Sequence, residues 1–242
     1  MKNNIAALIL AAGKGSRLNT QLPKPLLPVD GIPMIVRIIS VLEELKNIDI
    51  KVVVGYKAKI IKEKLNRSLT FIHQNETLGT GHAVKQATNC ISEYEDIIIL
   101  TADSPNINKQ LITHLIRNHH TSNAGCSFLT SDFPFRMPYG RVIRKQGNVT
   151  GCIEEINANS EQLKIKELFT SHYIIKTGIL LKYIDYIKPD KLTKEYNLTE
   201  IINILIKEKI NINPIKTNNY KSVMGINNID DLKLMESWLK EE

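Results

Sequence analysis

A run of apolar residues near the N-terminus leads directly into a loop that is rich in glycine and positive charge. Residues 5–10 (Ile-Ala-Ala-Leu-Ile-Leu) are typical of a buried strand. Residues 13–15 (Gly-Lys-Gly) follow, and the backbone N–H groups of such glycines can approach an anion closely. Arg17 and Lys24 add further cations to the same loop. A strand end with bare backbone donors and clustered cations predicts a binding site for a triphosphate.

The spacing of this loop separates it from two better-known phosphate-binding loops. The P-loop requires G-x-x-x-x-G-K-[ST], whereas these glycines are separated by a single residue. The dinucleotide fingerprint G-x-G-x-x-G also fails, because Leu18 occupies the third glycine position. For the glycines alone, a plain turn after a strand is an open alternative. Arg17 and the element Pro23-Lys24-Pro25 argue against it, since a structural turn has no need of clustered positive charge.

Predicted strands and helices alternate along the first half of the chain. Short β-branched runs predict strands, and apolar residues at helical spacing predict helices. This alternation predicts an α/β fold with a Rossmann-like, mostly parallel twisted sheet and helices on both faces. The predicted strands cover residues 5–10, 50–54, 69–73, 96–100 and 125–130, and the predicted helices cover residues 34–45, 58–65, 81–90 and 111–119.

Polar motifs follow several of these predicted strands. Gly13, Gln74 and Asp103 each come just after a strand, and ligands of open parallel sheets bind beyond the carboxyl ends of the strands. We therefore expect the three residues to meet in one cleft. After Asp132 the pattern changes. Residues 141–144 and 149–153 predict a hairpin, residues 173–183 a further strand, and residues 199–209 and 229–239 two helices.

Composition narrows the classes of partner. Hydrophobic residues make up 43% of the 242 residues, so the chain can bury a substantial core. The net charge of +7 suits anionic ligands, but aromatic residues are only 6% and no basic run is interleaved with them, which argues against nucleic-acid binding. Cys90, Cys126 and Cys152 match no disulfide or zinc pattern. The sequence lacks an apolar run long enough to span a membrane, and we expect a cytoplasmic protein.

Several motifs together carry a family resemblance. L-A-A-G-x-G-[ST]-R with P-K downstream, at residues 10–17 and 23–24, resembles the opening of the sugar-phosphate nucleotidyltransferases. Residues 74–83 (Gln-Asn-Glu-Thr-Leu-Gly-Thr-Gly-His-Ala) are similar to the uridyltransferase half of the bifunctional N-acetylglucosamine-1-phosphate uridyltransferase/glucosamine-1-phosphate acetyltransferases. Further matches follow in the family's order at Asp103-Ser104-Pro105, Tyr139-Gly140-Arg141, Val149-Thr150-Gly151 with Glu154, Thr177-Gly178-Ile179, Leu198-Thr199-Glu200 and Gly225-Ile226-Asn227-Asn228.

The resemblance implies a domain organisation. It implies one nucleotidyltransferase domain over residues 1–242, of the nucleotide-diphospho-sugar transferase type. Residues 1–131 would bind the nucleotide, and residues 132–242 would form a small β-rich sugar-binding part and close the fold. The acetyltransferase β-helix of the bifunctional relatives is not expected in this chain.

The resemblance also implies an activity and its residues. UTP would react with a sugar 1-phosphate, N-acetylglucosamine 1-phosphate or a related sugar, to give a UDP-sugar and pyrophosphate, with Mg²⁺ as cofactor. It implies that Arg17 and Lys24 are catalytic and that Asp103 and Asn227 bind the metal. It places the sugar at Gly140, Glu154 and Thr199, and the nucleotide at Leu10, Ala11, Ala12, Gly13, Gly15, Lys24, Gln74, Gly79 and Thr80.

Physical chemistry is consistent with these roles. The attacking phosphate is already an anion, so catalysis needs positioning and charge stabilisation rather than a general base. Arg17 can bind the leaving pyrophosphate through two N–H groups, Lys24 can stabilise the α-phosphate, and Lys14 ranks behind both. A glutamine amide such as Gln74 can pair with uracil, but cytosine and thymine stay open. Asp103 could instead cap a helix or belong to a turn.

The chain departs from the family around the sugar. Lys176 stands where the family has Asn before Thr-Gly, Asn197 stands where Tyr is usual, and Ile156-Asn157 replace a basic-acidic pair. We hypothesise that the reaction is retained while the acceptor differs. Lys176 as a sugar-binding residue would suit a carboxylated or extra-phosphorylated sugar, and a surface lysine is the alternative. His82 is interpreted as a helix-start residue, because the reaction needs no histidine.

Two other functions stay open at this point. One is transfer of a cytidylyl or other nucleotidyl group to a different phosphorylated acceptor. The other is a non-catalytic sensor of nucleotide sugars. The expected partners are UTP, or another nucleoside triphosphate, and a sugar 1-phosphate. Neither nucleic acid nor membrane is expected, and a homo-oligomer is possible.

Overall fold

The computed structural model describes residues 4–15, 18, 20–65 and 67–241. The strands are β1 Ile5–Ala11, β2 Pro28–Val29, β3 Ile32–Pro33, β4 Ile48–Val54, β5 Thr70–His73, β6 Asp96–Thr101, β7 Cys126–Asp132, β8 Gly140–Lys145, β9 Asn148–Ile153, β10 Glu167–Lys176 and β11 Ile212–Thr217. The helices are α1 Met34–Glu43, α2 Ala58–Leu65, α3 Thr80–Gln86, α4 Thr88–Ile91, α5 Lys109–Thr121, α6 Thr177–Tyr183, α7 Glu200–Lys207 and α8 Ile229–Glu241.

Within the described residues, nine strands form one sheet whose main path runs β11-β7-β10-β6-β1-β4-β5. Strands β6, β1, β4 and β5 are parallel to one another, and β11 is parallel to β7. Strand β10 runs antiparallel to both β6 and β7, and the β8–β9 hairpin pairs with its first residues. The sheet is therefore mostly parallel, as predicted.

The sheet has a hydrophobic core on each face. Along β1, Ala7 and Ile9 point to one face and Ala6 and Leu8 to the other, because side chains alternate along a strand. Helices α1, α2, α5 and α8 pack on the first face, and α3, α4, α6 and α7 pack on the second. These cores confirm the predicted arrangement of helices on both faces. None of the described helices is long and apolar enough to cross a bilayer.

One predicted element is wrong in its second half. Residues 173–183 were expected to form a strand, but β10 ends at Lys176 and α6 occupies Thr177–Tyr183. Leu180 and Tyr183 are buried at helical spacing, three and six residues after Thr177, so the helix can bury them against the sheet. The predicted helix at residues 81–90 is also divided, into α3 and α4.

Candidate active site

A cavity of about 440 Å³ lies beyond the carboxyl ends of β1, β5 and β6. It sits where the topology of parallel strands predicts a ligand site. Gly13, Gln74 and Asp103 all line it, so the expected cleft is present. The residues that the resemblance assigns to the nucleotide also line this cavity. They are Leu10, Ala11, Ala12, Gly13, Gly15, Lys24, Gln74, Gly79 and Thr80.

Gly15 and Lys24 are packed against each other in the wall of this cavity. Gly15 has φ +61°, a left-handed conformation that favours glycine. An added Cβ there would lie 2.6 Å from Lys24 Cβ, a distance that real Cβ atoms do not reach. Because Gly15 has no side chain, the glycine loop can close over Lys24.

Lys24 forms an ion pair with Asp103 inside the cavity. Lys24 Nζ donates to Asp103 Oδ2 at 2.6 Å, and only 17% and 26% of the two side chains are exposed. Burial alone would raise the pKa of the Asp103 carboxyl, but the Lys24 ammonium outweighs it, so the pKa lies below its ordinary value. Asp103 is therefore an anion at neutral pH. It does not cap α5, because Asn108 accepts the Leu111 N–H at 2.9 Å instead.

The segment at residues 225–227 packs directly against Asp103. Ile226 N donates to Asp103 O at 2.8 Å, and an added Cβ on Gly225 would lie 3.2 Å from Asp103 Oδ1. The Tyr139 hydroxyl accepts the Gly225 N–H at 2.6 Å and fixes this segment from the other side. Asn227 lines the same cavity as Asp103. The two residues predicted to bind metal are thus brought together.

The donor atoms of this pair fit a magnesium ion. Mg²⁺ prefers oxygen ligands and usually takes one or two protein ligands, with water and substrate phosphates as the rest. The Asp103 carboxylate and the Asn227 amide oxygen are such ligands. Over the described ranges, no group of three or more His, Cys, Asp or Glu side chains could hold a metal ion. A metal at Asp103 and Asn227 would therefore need ligands from the substrate or from water.

One part of the cavity wall follows β5 and contains Gln74, Gly79 and Thr80. The Gln74 side-chain nitrogen lies 3.1 Å from Gly79 O and 2.9 Å from His82 Nδ1. Thr80 Oγ1 accepts the Leu198 N–H at 2.9 Å. His82, for which the sequence indicated no function, thus contacts a residue of the predicted nucleotide site.

A second cavity of about 480 Å³ adjoins the first, and Glu195 and Asn197 line both. Glu154 and Thr199, two of the predicted sugar-binding residues, line it as well. Gly140 lies beside them, since an added Cβ there would be 3.6 Å from Thr199 Cγ2. Burial raises the pKa of the Glu154 carboxyl, and its hydrogen bond with Thr199 opposes that rise.

Lys176 does not belong to either cavity, which corrects the prediction that it binds the sugar. In the register of β10 and β6, the backbone of Lys176 lies opposite that of Asp96, at the amino end of β6. Asp103 follows the carboxyl end of the same strand. Its ammonium donates to Asn123 Oδ1 at 2.6 Å. The cause is the antiparallel direction of β10, which takes residue 176 to the side of the sheet where the parallel strands have their amino ends. The Thr-Gly match at residues 177–178 begins α6 on that side of the sheet, away from the cleft.

The remaining predicted residues and one missed residue complete the site. Arg17 lies outside the described residues. Lys14 is exposed and lines the first cavity. Glu195 lines both cavities, although no sequence motif singles it out. Its position four residues before Thr199 was the available signal, and that signal is weak without the structure.

Comparisons with known proteins agree with this geometry. The MobA-like NTP transferase domain family matches residues 7–175. The bifunctional protein GlmU of Idiomarina loihiensis is 33% identical over 239 residues, covering 98% of this chain and 52% of that protein. GlmU of Francisella tularensis subsp. novicida is 34% identical over 234 residues, covering 96% of this chain and 51% of that protein. The chain thus spans about half the length of these curated relatives.

Solved structures show the same fold at lower sequence identity. A UDP-glucose pyrophosphorylase complexed with UDP-glucose superposes with a TM-score of 0.77 at 17% identity, over 98% of this chain and 99% of that one. An apo UDP-glucose pyrophosphorylase has a TM-score of 0.73 at 17% identity, with 98% of each chain covered. At this identity the likeness concerns the fold.

Proposed function

The chain belongs to the MobA-like NTP transferase domain family and is a nucleotidyltransferase, and from this premise we propose that it joins UTP to a sugar 1-phosphate. The products would be a UDP-sugar and pyrophosphate. The acceptor would be N-acetylglucosamine 1-phosphate or a related sugar, because GlmU proteins are about one-third identical to nearly the whole chain. A cytoplasmic location and the absence of a nucleic-acid partner stay predictions.

The observation that carries this proposal is the first cavity, in which backbone donors and charged groups face the same space. The glycine loop at residues 13–15, Lys24, Asp103 and Asn227 line it together. Backbone N–H groups and an ammonium suit phosphate oxygens, and a carboxylate with an amide oxygen suits a divalent cation. A triphosphate with its metal ion needs this combination.

The reaction would proceed by in-line attack of the sugar phosphate on the α-phosphate of UTP. The attacking oxygen is an anion at neutral pH, so no side chain has to remove a proton. Lys24 would stabilise the charge that gathers on the α-phosphate, and the N–H groups of the glycine loop would hold the other phosphates. Arg17 would bind the leaving pyrophosphate through its guanidinium group.

Asp103 and Asn227 would hold a magnesium ion close to these phosphates. The ion would supply positive charge that offsets the repulsion between the two anionic substrates. Lys24 bonds to one oxygen of Asp103, and its ammonium can move to the phosphates when nucleotide and metal arrive. Lys24 would thus have two alternative anionic partners in the same cavity.

The second cavity would take the sugar. Gly140, Glu154 and Thr199 would bind it there, and the wall shared with the first cavity would bring its phosphate towards Lys24. Because Lys176 lies at the amino end of β6, away from both cavities, it gives no reason to expect an acidic sugar. Of the residues that depart from the family's pattern around the sugar, Asn197 and Asn157 line this cavity.

The test is an assay of pyrophosphate release by the purified chain with UTP, Mg²⁺ and a panel of sugar 1-phosphates. We expect pyrophosphate release with at least one sugar 1-phosphate and its loss on addition of EDTA. A preference for CTP with another phosphorylated acceptor would replace the proposal by cytidylyl transfer. Tight nucleotide binding without release for any acceptor would favour a sensor.

A further inference from the structure

The segment at residues 225–227, which contains the predicted metal ligand Asn227, is held by a tyrosine that the proposed reaction does not use. Tyr139 directly precedes β8, and its hydroxyl oxygen accepts the Gly225 N–H at 2.6 Å. The same hydroxyl donates its proton to Gly225 O at 3.2 Å. One side-chain oxygen therefore binds both backbone polar groups of the glycine that lies two residues before Asn227.

The carbonyl of Gly225 also determines how the Asn227 amide is oriented. Asn227 Nδ2 donates to Gly225 O at 3.4 Å, and the Tyr139 hydroxyl donates to the same oxygen. A carbonyl oxygen can only accept a hydrogen bond, so the nitrogen of the amide faces it. The amide oxygen is then turned away from that carbonyl, in a residue that lines the first cavity. Tyr139 thus fixes the group against which the Asn227 amide is oriented.

Tyr139 is itself held at both its ring and its backbone. The ring packs edge-on against the buried Phe133, with 5.5 Å between the ring centres. Arg141 Nη1 donates to Tyr139 O, and the Arg141 side chain is buried. A side chain that its surroundings hold in place can in turn position the groups that it contacts.

Asp103 contacts the same segment from another direction. Ile226 N donates to Asp103 O at 2.8 Å. An added Cβ on Gly225 would lie 3.2 Å from both Asp103 Oδ1 and the Tyr139 hydroxyl oxygen. The segment therefore lies between the carboxylate and the tyrosine. A shift of this segment would change the distance between the two proposed metal ligands.

We propose that Tyr139 is a positioning residue for the metal: its hydroxyl holds residues 225–227 against Asp103, so that the Asn227 amide oxygen and the Asp103 carboxylate reach one Mg²⁺ ion together. The inference rests on the proposed function, because it concerns the metal that would accompany the nucleotide. Tyr139 lines neither cavity, so it would act through Gly225 and Asn227 rather than by contact with a substrate.

The experiment measures how much Mg²⁺ increases the affinity for UTP. Calorimetry of the full chain with UTP and without acceptor gives the dissociation constant in Mg²⁺ and in EDTA, and their ratio is the metal-dependent gain. The wild type should bind UTP more tightly in Mg²⁺. Tyr139→Phe removes only the hydroxyl and should reduce the gain about fivefold, the value of one net hydrogen bond of about 1 kcal/mol. The affinity in EDTA should not change, because Tyr139 lines neither cavity.

Two further variants test whether the hydroxyl acts through the metal ligand. Asn227→Ala should reduce the gain by itself, and adding Tyr139→Phe to it should reduce the gain little further, because residues that act as a unit are not additive. Gly225→Ala places a Cβ 3.2 Å from the Tyr139 hydroxyl oxygen and should reduce the gain while that hydroxyl is still present.

The matched control is Tyr220→Phe. Tyr220 packs against the same Phe133, with 5.6 Å between the ring centres, is half-buried and lines neither cavity. Its replacement removes a hydroxyl from the same aromatic cluster and should leave the gain unchanged. With acceptor present, Tyr139→Phe should raise the Mg²⁺ concentration that gives half the maximal rate. The acceptor KM at saturating Mg²⁺ should change little, because Arg141 still holds the backbone of residue 139 beside Gly140.

Four outcomes would contradict the inference. If Tyr139→Phe is folded, as a thermal unfolding curve would show, and keeps the wild-type gain, its hydroxyl does not position the metal ligand. If the effects of Tyr139→Phe and Asn227→Ala simply add, the two residues act separately. If the wild type gains nothing from Mg²⁺, the inference is wrong, although pyrophosphate release could still establish nucleotidyl transfer. If the folded wild type binds no nucleoside triphosphate, both the inference and the proposed function are wrong.

Discussion

Among individual residues, Gly15 and Lys24 show how backbone conformation places a charge. The left-handed φ of Gly15 and the missing Cβ allow the loop to lie directly on the Lys24 side chain. Lys24 in turn reaches Asp103 at 2.6 Å. Glycine at position 15 is therefore part of the mechanism that we propose, although it has no side chain.

Gly15→Ala should reduce kcat/KM at least tenfold while the chain stays folded. The new Cβ would displace Lys24, and the left-handed conformation adds about 1–2 kcal/mol of backbone strain. Steady-state kinetics and a thermal unfolding curve measure the two effects. Gly147→Ala is the control, because it has φ +82° with nothing within 4 Å of an added Cβ. Equal activity losses in both variants would show that strain alone, rather than contact with Lys24, is responsible.

Lys24→Met should lower turnover by about 10²–10³-fold, the usual loss for one donor that stabilises the transition state. The pKa of the Asp103 carboxyl should rise in this variant, because burial would no longer be opposed by the ammonium. Single-turnover rates at saturating UTP and acceptor measure the first effect. Lys64→Met, at an exposed position of α2, is the control. A turnover within threefold of wild type would remove Lys24 from the reaction.

Among the helices and strands, α5 is tied to the sheet by a buried polar network far from the cavity. Asp96, at the start of β6, contacts His119 at 3.3 Å and His120 at 2.9 Å, and His119 also contacts Ser127 Oγ at 2.9 Å. Burial alone would raise the pKa of the Asp96 carboxyl, but the two histidine hydrogen bonds outweigh it, so the pKa lies below its ordinary value. The network joins α5 to β6 and β7.

Asp96→Asn should destabilise the chain at neutral pH and have little effect in strong acid. A carboxyl whose pKa is lowered by folding stabilises the fold above its unfolded pKa, and the gain is lost as the pH falls through the folded value. The variant should therefore lose about 1–3 kcal/mol of unfolding free energy at pH 7, and much less at pH 2. Urea unfolding at the two pH values measures this.

Asp132→Asn is the matched control for that experiment. Asp132 pairs with Lys216 at 2.8 Å on the surface, with 54% and 41% of the side chains exposed. Exposed ion pairs contribute little to stability. If both variants lost the same free energy at pH 7, the buried network would have no special role.

The sequence predicts elements well where one periodicity dominates and poorly where two overlap. Residues 173–183 contain closely spaced apolar and β-branched residues without a helix-start signal, so the boundary at Thr177 is not visible locally. No strand was predicted at residues 212–217, where Pro214 interrupts the apolar run. Strand β11 tolerates that proline since it lies at the edge of the sheet.

Across the entire fold, the direction of each strand decides which predicted site residues meet. The motifs after β1, β5 and β6 converge because these strands are parallel, and this could be predicted from their order alone. Lys176 is the last residue of the antiparallel strand β10, and no local pattern reveals that direction. Glu154, Thr199 and Asn227 come from the second half of the chain, and only the family resemblance placed them beside the cleft.

The two cavities are linked by the segment at residues 195–199, which also borders the loop at residues 78–81. Tyr196 N donates to Leu78 O at 2.8 Å, Gly81 N donates to Tyr196 O at 2.7 Å, and Leu198 N donates to Thr80 Oγ1 at 2.9 Å. Because these bonds join the walls of both cavities, a nucleotide that orders the loop would also order the wall of the second cavity, which we propose for the sugar. Nucleotide binding should therefore favour acceptor binding.

Thr80→Val tests this coupling, because it keeps the side-chain shape and removes the hydroxyl that accepts the Leu198 N–H. The buried N–H loses its partner at a cost of about 1–3 kcal/mol, so the wall at residues 195–199 should loosen. At saturating UTP, initial rates should show an acceptor KM raised at least fivefold, with a smaller change in UTP affinity. Thr88→Val, at a half-buried position of α4 that lines neither cavity, should change neither value. A variant that loses UTP affinity while its acceptor KM is unchanged would show that Thr80 serves the nucleotide alone and that the cavities bind independently.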